Sequence, residues 1–162
     1  NAYVERLAAL PAATDARGKL ARRVMAEFLD EKVVYYRHED NLVDLNNIES
    51  PFQHMRVVFD VMDTSTADGW RAVAKRLETL DVVLASYRAA LEAGAAKGFT
   101  AAKRQVRAVL TQAKNHASDK SSFRSILAGF DASTVGDPSL GARLDAGVAH
   151  AQKTYAAFAP FL

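Results

Sequence analysis

Apolar residues recur at spacings of three and four along most of the chain, which is the period of an amphipathic α-helix. The first long run follows Pro11, takes Thr14 or Asp15 as its N-terminal cap and continues to about His38. Its apolar face carries Leu20, Val24, Phe28 and Val34 or Tyr35, with Met25 and Leu29 beside them. The run VVYY at 33–36 favours a strand by propensity alone. It continues the helical pattern and has no partner strand, so the pattern predicts helix.

Caps and turn residues divide the rest of the chain into further helices. They are predicted over about 51–63, from 68 to Gly94 or Gly98, and over 100–116, 121–129 and 139 to the end. Ser50 and Pro51 form a strong start signal, and Thr66 and Thr100 cap the next two helices. The helix after Thr66 is expected to kink near 79–81, and DASTVGDPSLG is a turn-rich loop. The sequence therefore predicts an all-α bundle of six or seven helices, without a sheet and at least two-thirds helical.

Length and composition suit a single all-helical domain over residues 1–162. The chain is 49% hydrophobic and 25% charged, and it has no apolar run long enough to span a membrane and no leader typical of secretion. Its last segment, TYAAFAPFL, is apolar where chains are usually polar, which favours an N-terminal fragment of a longer protein. A natural terminus with a docked last helix is the alternative. The absence of cysteine fits cytoplasm or a cysteine-poor periplasmic protein, so the compartment stays open.

Motifs for metal or nucleophilic chemistry are missing from the sequence. No two of the four histidines have the i, i+4 spacing of a zinc helix, and HExxH, a glycine-rich phosphate loop and GxSxG are absent. The stretch HEDNLVD could place His38, Glu39, Asp40 and Asp44 around a cation. A polar helix end is the favoured interpretation, because calcium loops need regular oxygen spacing and a glycine. We therefore predict no catalytic, cofactor-binding or metal-binding residue in this chain.

Positive charge concentrates between residues 97 and 124. The basic residues there are Lys97, Lys103, Arg104, Arg107, Lys114, Lys120 and Arg124. Asp119 is the one acid in this interval, so its formal charge is 7 − 1 = +6. The stripe lacks the recognisable fold and stacking aromatic residues of nucleic-acid binders. We expect a solvated face, or one that pairs with acids elsewhere, rather than a nucleic-acid site.

The stretch LNNIESPFQHMRVVFDVM, residues 45–62, surrounds an apolar helix with hydrogen-bonding side chains. Phe52, Met55, Val58, Phe59 and Met62 form its apolar stripe, which Val57 and Val61 extend, so little of the helix is expected to face water. The polar candidates for lining a groove are Asn46, Asn47, Gln53, Arg56 and Asp60. Arg56 and Asp60 are i, i+4 neighbours, and the asparagines are expected to fix the preceding loop. An internally satisfied helix start is the alternative to a groove.

Three segments resemble a known family. They are LNNIESPFQHMRVVFDVMDTSTADGW, RLETLDVVLASYRAAL and AAKRQVRAVLTQA. They look like the N-terminal part of a large bacterial family of unknown function, helical and similar in fold to carboxypeptidase Taq-type zinc metallopeptidases. The resemblance implies a zinc-binding helix in the C-terminal part of longer members, so it assigns no metal ligand to this chain. It also implies that these helices lie beside a substrate groove.

Two functions therefore remain open. The first is the N-terminal helical segment of a zinc-dependent, carboxypeptidase-like hydrolase, inactive alone, whose partners are the C-terminal remainder of the protein and a peptide substrate. The second is a noncatalytic helical interaction module that uses the basic face at 97–124 or an apolar groove. Neither involves nucleic acid or a membrane.

Overall fold

The computed structural model describes residues 2–162, with the side chain of Thr134 excepted. Helix accounts for 77% of the chain, and the described residues contain no strand. The predicted all-α class, helical fraction and absence of a sheet are confirmed. Contacts divide the chain into two compact units, residues 1–42 and 43–162, which are described separately. That residues 1–162 form one domain stays a prediction.

The first unit contains two helices, α1 (Ala2–Ala9) and α2 (Ala16–Arg37), followed by a 3₁₀ turn at Asp40–Leu42. Asp15 caps α2 as predicted, because its Oδ1 accepts the Gly18 N–H at 2.7 Å. The Arg22 guanidinium donates to the carbonyls of Leu7 at 2.9 Å and Leu10 at 3.0 Å. These carbonyls lie at the end of α1, where helix carbonyls lack intrahelical donors and cations are stabilising.

The apolar face of α2 is not covered within its own unit. No residue of α1, α2 or the 3₁₀ turn is buried. Leu20, Val24 and Phe28 are 62%, 56% and 52% exposed. The periodicity of α2 therefore predicts the helix correctly, but a unit of 42 residues is too small to enclose that face.

The second unit contains the remaining helices. They are α3 (Pro51–Val57), α4 (Ala67–Glu78), α5 (Leu80–Ala96), α6 (Lys103–Ala117), α7 (Ser122–Ile126), α8 (Ala132–Val135) and α9 (Pro138–Phe158). Short 3₁₀ segments follow α3, α7 and α9, at Val58–Val61, Leu127–Gly129 and Ala159–Phe161. The kink expected near 79–81 is a break between α4 and α5 at Thr79.

Several helix boundaries differ from the predictions. The helix at 51–63 changes from α to 3₁₀ geometry at Val58, and Val57 and Val61 are 51% and 80% exposed. The expectation that little of this helix faces water is therefore wrong on one side. Helix α6 begins at Lys103 after an uncapped Ala102, so Thr100 is not its cap. The turn-rich loop contains the short helix α8.

Helix α9 forms the centre of the second unit and packs against α4, α5, α6, α7 and α8. Its inward residues Leu140, Leu144, Ala151 and Tyr155 are at most 1% exposed. The terminal residues that look anomalous in the sequence belong to this core, since Phe158 is only 4% exposed. Burial therefore explains the apolar character of the last segment.

Helix α9 has a glycine, Gly147, where it packs against Leu77 of α4. A Cβ atom built at Gly147 would lie 2.9 Å from Leu77 Cβ and 3.2 Å from Leu77 Cδ1. Leu77 is itself fully buried, so it has no room to move away.

We predict that Gly147→Ala destabilises the chain by about 1–3 kcal/mol, although alanine favours helix by about 1 kcal/mol. The measurement is the free energy of unfolding from denaturant titration. Gly129→Ala is the control, because its added Cβ would meet nothing closer than 4.0 Å. Equal stability of Gly147→Ala and the wild type would show that the two helices do not depend on this close contact.

Candidate functional site at the start of α3

The loop before α3 is held by the side chain of Asn46. Its Oδ1 accepts the N–H groups of Ile48 at 2.8 Å and Glu49 at 2.7 Å, and its Nδ2 donates to the Glu49 carbonyl at 2.6 Å. Short amide side chains make such local bonds to nearby backbone readily. The expectation of a fixed loop is thus matched by three bonds from one side chain.

Gln53 joins this loop to the first turn of α3. Its Oε1 accepts from the Ser50 N–H at 2.9 Å and from the Ser50 hydroxyl at 2.7 Å. Its Nε2 donates to the Asn46 carbonyl at 3.0 Å and to Gln112 Oε1 at 2.7 Å. Ser50 is only 1% exposed, so its polar groups must be satisfied by protein partners. Gln53 supplies them.

Two glutamines of α6 complete the network from the other side. The Asn47 N–H donates to Gln105 Oε1 at 2.9 Å, and Gln112 Nε2 donates to the Asn47 carbonyl at 3.0 Å. Gln105 and Gln112 are seven residues apart and therefore lie on one face of the helix. Sequence reasoning missed both residues. The available signal was the pair of uncharged amides at i, i+7 in a helix otherwise rich in cations.

The Arg56 guanidinium connects α3 to α7. Its Nε donates to Ser122 Oγ at 2.9 Å, and its NH2 lies 3.3 Å from the Ser122 carbonyl. Its NH1 binds Asp60 Oδ1 at 2.7 Å, as the i, i+4 spacing predicts. The Arg56 side chain is 14% exposed, whereas that of Asp60 is 58% exposed. The arginine is therefore part of the packed structure, and its carboxylate partner is at the surface.

An aromatic cluster lies next to this bridge. The His116 ring is 4.8 Å from Tyr155 and 5.4 Å from Phe123, measured between ring centroids, and Phe52 is 5.4 Å from Tyr155. The His116 Nδ1 is 3.4 Å from Ser122 Oγ. Burial, with a smaller contribution from the Arg56 charge, lowers the pKa of His116 from 6.5 to about 4. His116 is therefore neutral at pH 7.

The Tyr155 hydroxyl is the buried polar group in this region that lacks a partner. The residue is 0% exposed, and its oxygen has no hydrogen bond within the part of the chain that is described. Burial raises the pKa of Tyr155 well above 10, because the charged phenolate would lose its water. The hydroxyl keeps its proton at any physiological pH.

The five sequence-predicted groove residues form two groups in the structure. Asn46, Asn47 and Gln53 join one amide network with α6, while Arg56 of α3 pairs with Asp60 of the 3₁₀ segment that follows. A surface cavity of about 770 Å³ near α3 is lined by other residues, including Pro51, Met55 and Leu80. The geometry agrees with an internally satisfied helix start. That these five residues line a substrate groove stays a prediction.

The other sequence candidates have simpler surroundings. All seven basic residues between 97 and 124 are exposed, and Arg124 lies 4.0 Å from Asp119. No group of three or more histidine, cysteine or acidic residues within residues 2–162 has a metal-binding arrangement, and this includes the HEDNLVD stretch. Over the same residues no helix is both long and apolar enough to cross a membrane.

Architecture and site together define an all-helical protein in whose second unit α9 packs against five other helices and the start of α3 is held by side-chain amides. The chain belongs to the family described as "Bacterial protein of unknown function (DUF885)", which matches residues 1–162. No curated protein matches the chain. Membership of a bacterial family of unknown function is thus confirmed, and the likeness to carboxypeptidase Taq-type enzymes stays a prediction.

We predict that Arg56→Ala destabilises the chain by about 1–3 kcal/mol, because it removes the donor to the Ser122 hydroxyl and with it the connection between α3 and α7. The Ser122 carbonyl keeps a hydrogen bond from Ser125 Oγ at 2.7 Å. This loss of stability is smaller than the cost of leaving a buried carboxylate without its partner, because the Asp60 side chain is exposed. Denaturant titration measures the change. Asp60→Asn is the control and costs less than about 1 kcal/mol. A larger loss for Asp60→Asn than for Arg56→Ala would contradict this assignment.

Acid stability provides a second test of the site. The folded-state pKa of His116 lies below its ordinary 6.5, so the unfolded chain takes up the proton first. The stabilisation from neutral His116 is complete above pH 6.5 and is lost as the pH falls towards 4. We expect roughly 1–3 kcal/mol over that range, because the ring keeps some solvent access.

Unfolding free energies of the wild type and His116→Phe, measured across this pH range, test the expectation. The variant should lose less stability on acidification than the wild type, since it has no imidazole to protonate. His54→Gln removes a surface imidazole as the control and should follow the wild type. Parallel curves for His116→Phe and the wild type would exclude a buried neutral His116.

Proposed function

We propose that this chain is the N-terminal helical segment of a zinc-dependent, carboxypeptidase-like peptidase, and that it flanks the substrate groove without carrying catalytic residues. The segments at 45–70, 76–91 and 101–113 support the proposal through their resemblance to such proteins. Membership of the bacterial family supports the resemblance to that family. The peptidase activity is proposed from the further likeness to carboxypeptidases.

The observation that carries the proposed role is the outward position of Ile48. This apolar side chain is 80% exposed, although three hydrogen bonds from Asn46 and one from Gln105 fix the loop around it. A flexible loop could fold such a side chain inward, but a fixed loop keeps it available. Val57 and Val61, on the following turns, are exposed as well. Exposed apolar side chains beside a loop fixed in this way suit contact with a peptide or with the remainder of the protein.

Zinc, which the proposal assigns to the longer protein, does not fit the residues of this chain. His116 is the most enclosed imidazole of the second unit, but its neighbours are Phe52, Phe123, Tyr155 and the cation Arg56, none of which is a good zinc ligand. The ligands and the catalytic groups are therefore proposed to come from the C-terminal remainder. This segment would hold and orient the peptide.

The longer protein provides the direct test. We predict that its downstream coding sequence includes an HExxH-like helix and that it hydrolyses peptides with a free C-terminus. A chelator should remove this activity and zinc should restore it. A longer protein that lacks such a helix and does not hydrolyse peptides in the presence of zinc would refute the proposed function.

Ile48→Asp in that protein tests the role of this segment. We expect kcat/KM to fall about 5-fold to 50-fold, while the melting temperature of the 162-residue chain stays unchanged because Ile48 is exposed. Val82→Asp, at a 66% exposed position of α5, is the matched control. If both variants have the kcat/KM of the wild type, Ile48 does not contact the substrate in the groove.

A noncatalytic interaction module is the second candidate. It is favoured by the start of α6, where Ala102 provides no side-chain cap and the first turn has no acid. Lys103, Arg104 and Arg107 are exposed there and add positive charge to the positive end of the helix. Such a face suits an acidic protein surface. Binding that weakens with salt and is lost in Lys103→Glu/Arg107→Glu would favour this candidate, and salt-independent binding would argue against it.

A further inference from the structure

A mixed polar and apolar cleft lies between α5 and α9. Its volume is about 330 Å³, at the lower end of the range for small-molecule sites. The lining comes from Asp81, Leu84, Ala85 and Arg88 of α5 and from His150, Lys153, Thr154, Ala157 and Phe158 of α9. None of these residues belongs to the amide network at the start of α3. The cleft is therefore separate from the site described above.

The polar groups occupy different positions along the cleft. At one end, His150 Nε2 approaches Asp81 Oδ1 to 3.3 Å. At the other end, the Arg88 guanidinium lies over the Phe161 ring, 4.8 Å from its centroid. Lys153 follows His150 by three residues on α9, between these two ends. The cleft thus has its one acid at the imidazole end and its two permanent cations away from it.

The imidazole at the Asp81 end of the cleft already has a partner. His150 Nε2 is shielded from solvent and lies 3.3 Å from Asp81 Oδ1. The contact with His150 lowers the pKa of Asp81, so this carboxylate stays ionised at neutral pH. A negative ligand group is therefore repelled at this end of the cleft and is favoured toward Lys153 and Arg88.

The two cations differ in how they are held. Arg88 forms an ion pair with Glu92 at 2.8 Å and lies over the Phe161 ring, so its guanidinium is held in place while its charge is partly offset. Lys153 is exposed, and no carboxylate of the described chain lies within ion-pair distance of it. Its charge is available to an anion that enters the cleft. The lining therefore favours a carboxylate over a cation.

The rest of the lining is apolar. Leu84 and Phe158 are 2% and 4% exposed and form a fixed floor, and Ala85 and Ala157 leave space above it. A ligand that fits must combine one anionic group with a small hydrocarbon part. We propose that this cleft binds a small carboxylate with an apolar side chain or tail, whose carboxylate contacts Lys153 and Arg88 and whose apolar part packs on Leu84 and Phe158. This assignment does not depend on the peptidase proposal.

Titration of the ¹⁵N-labelled 162-residue chain with N-acetyl-L-leucine at neutral pH tests the assignment. We expect saturable amide shifts confined to α5 and α9, with a Kd on the order of 1 mM for a ligand of this size. N-acetyl-L-leucine amide has the same apolar part without the charge and should bind at least about tenfold more weakly. Equal binding of acid and amide would overturn the carboxylate assignment.

Two variants test separately the positive charge of Lys153 and the free volume of the cleft. Lys153→Gln should weaken binding of the acid about fivefold to tenfold, whereas Lys103→Gln, an exposed lysine of α6, should leave it unchanged. Ala85→Phe keeps every charge and fills the cleft, so it should abolish binding at an unchanged melting temperature. Wild-type affinity in Ala85→Phe, or shifts that do not saturate, would place the ligand elsewhere and overturn the proposal.

Discussion

Burial of α9 is the constraint on which the second unit depends, because five other helices pack against it. Gly147 allows α4 to approach closely enough for Leu77 to contact the α9 backbone. One and two turns further on, Ala151 and Tyr155 are fully enclosed, the latter by Phe52 and its neighbours. The same enclosure has electrostatic consequences: it keeps the nearby imidazole neutral and leaves the tyrosine hydroxyl without a hydrogen-bond partner among the described residues.

The polar side chains around α3 have a structural explanation that follows from this packing. Once Phe52 enters the core, the loop before α3 is fixed beside α6, and its backbone groups need partners. Asn46, Gln53 and Gln112 provide them through side-chain hydrogen bonds to the backbone. The result is a rigid edge that carries an exposed isoleucine, and this edge is what connects the local structure to the proposed groove. The cleft between α5 and α9 is formed by different residues and supports a separate binding function.

Much of the fold and part of the site follow from sequence patterns. Asp15 and Thr66 cap their helices where the sequence predicts, and the chain breaks near Thr79 as expected. The loop asparagines and the Arg56–Asp60 pair were also found from short spacings. Their partners on α6 and α7 were not found, since Gln53 and Gln112 are separated by 59 residues and Arg56 and Ser122 by 66. No local pattern encodes such pairings.

The sequence by itself determined the helical class, because helical period, caps and breakers act over only a few residues. It also determined which polar residues the loop before α3 and α3 itself contribute to that helix start, but not their partners on α6 and α7. The tertiary structure alone decided exposure: the change to 3₁₀ geometry at Val58 leaves Val61 at the surface, and α2 keeps its apolar face uncovered within its unit. Exposure depends on which helices meet, and that depends on packing between segments far apart in the chain.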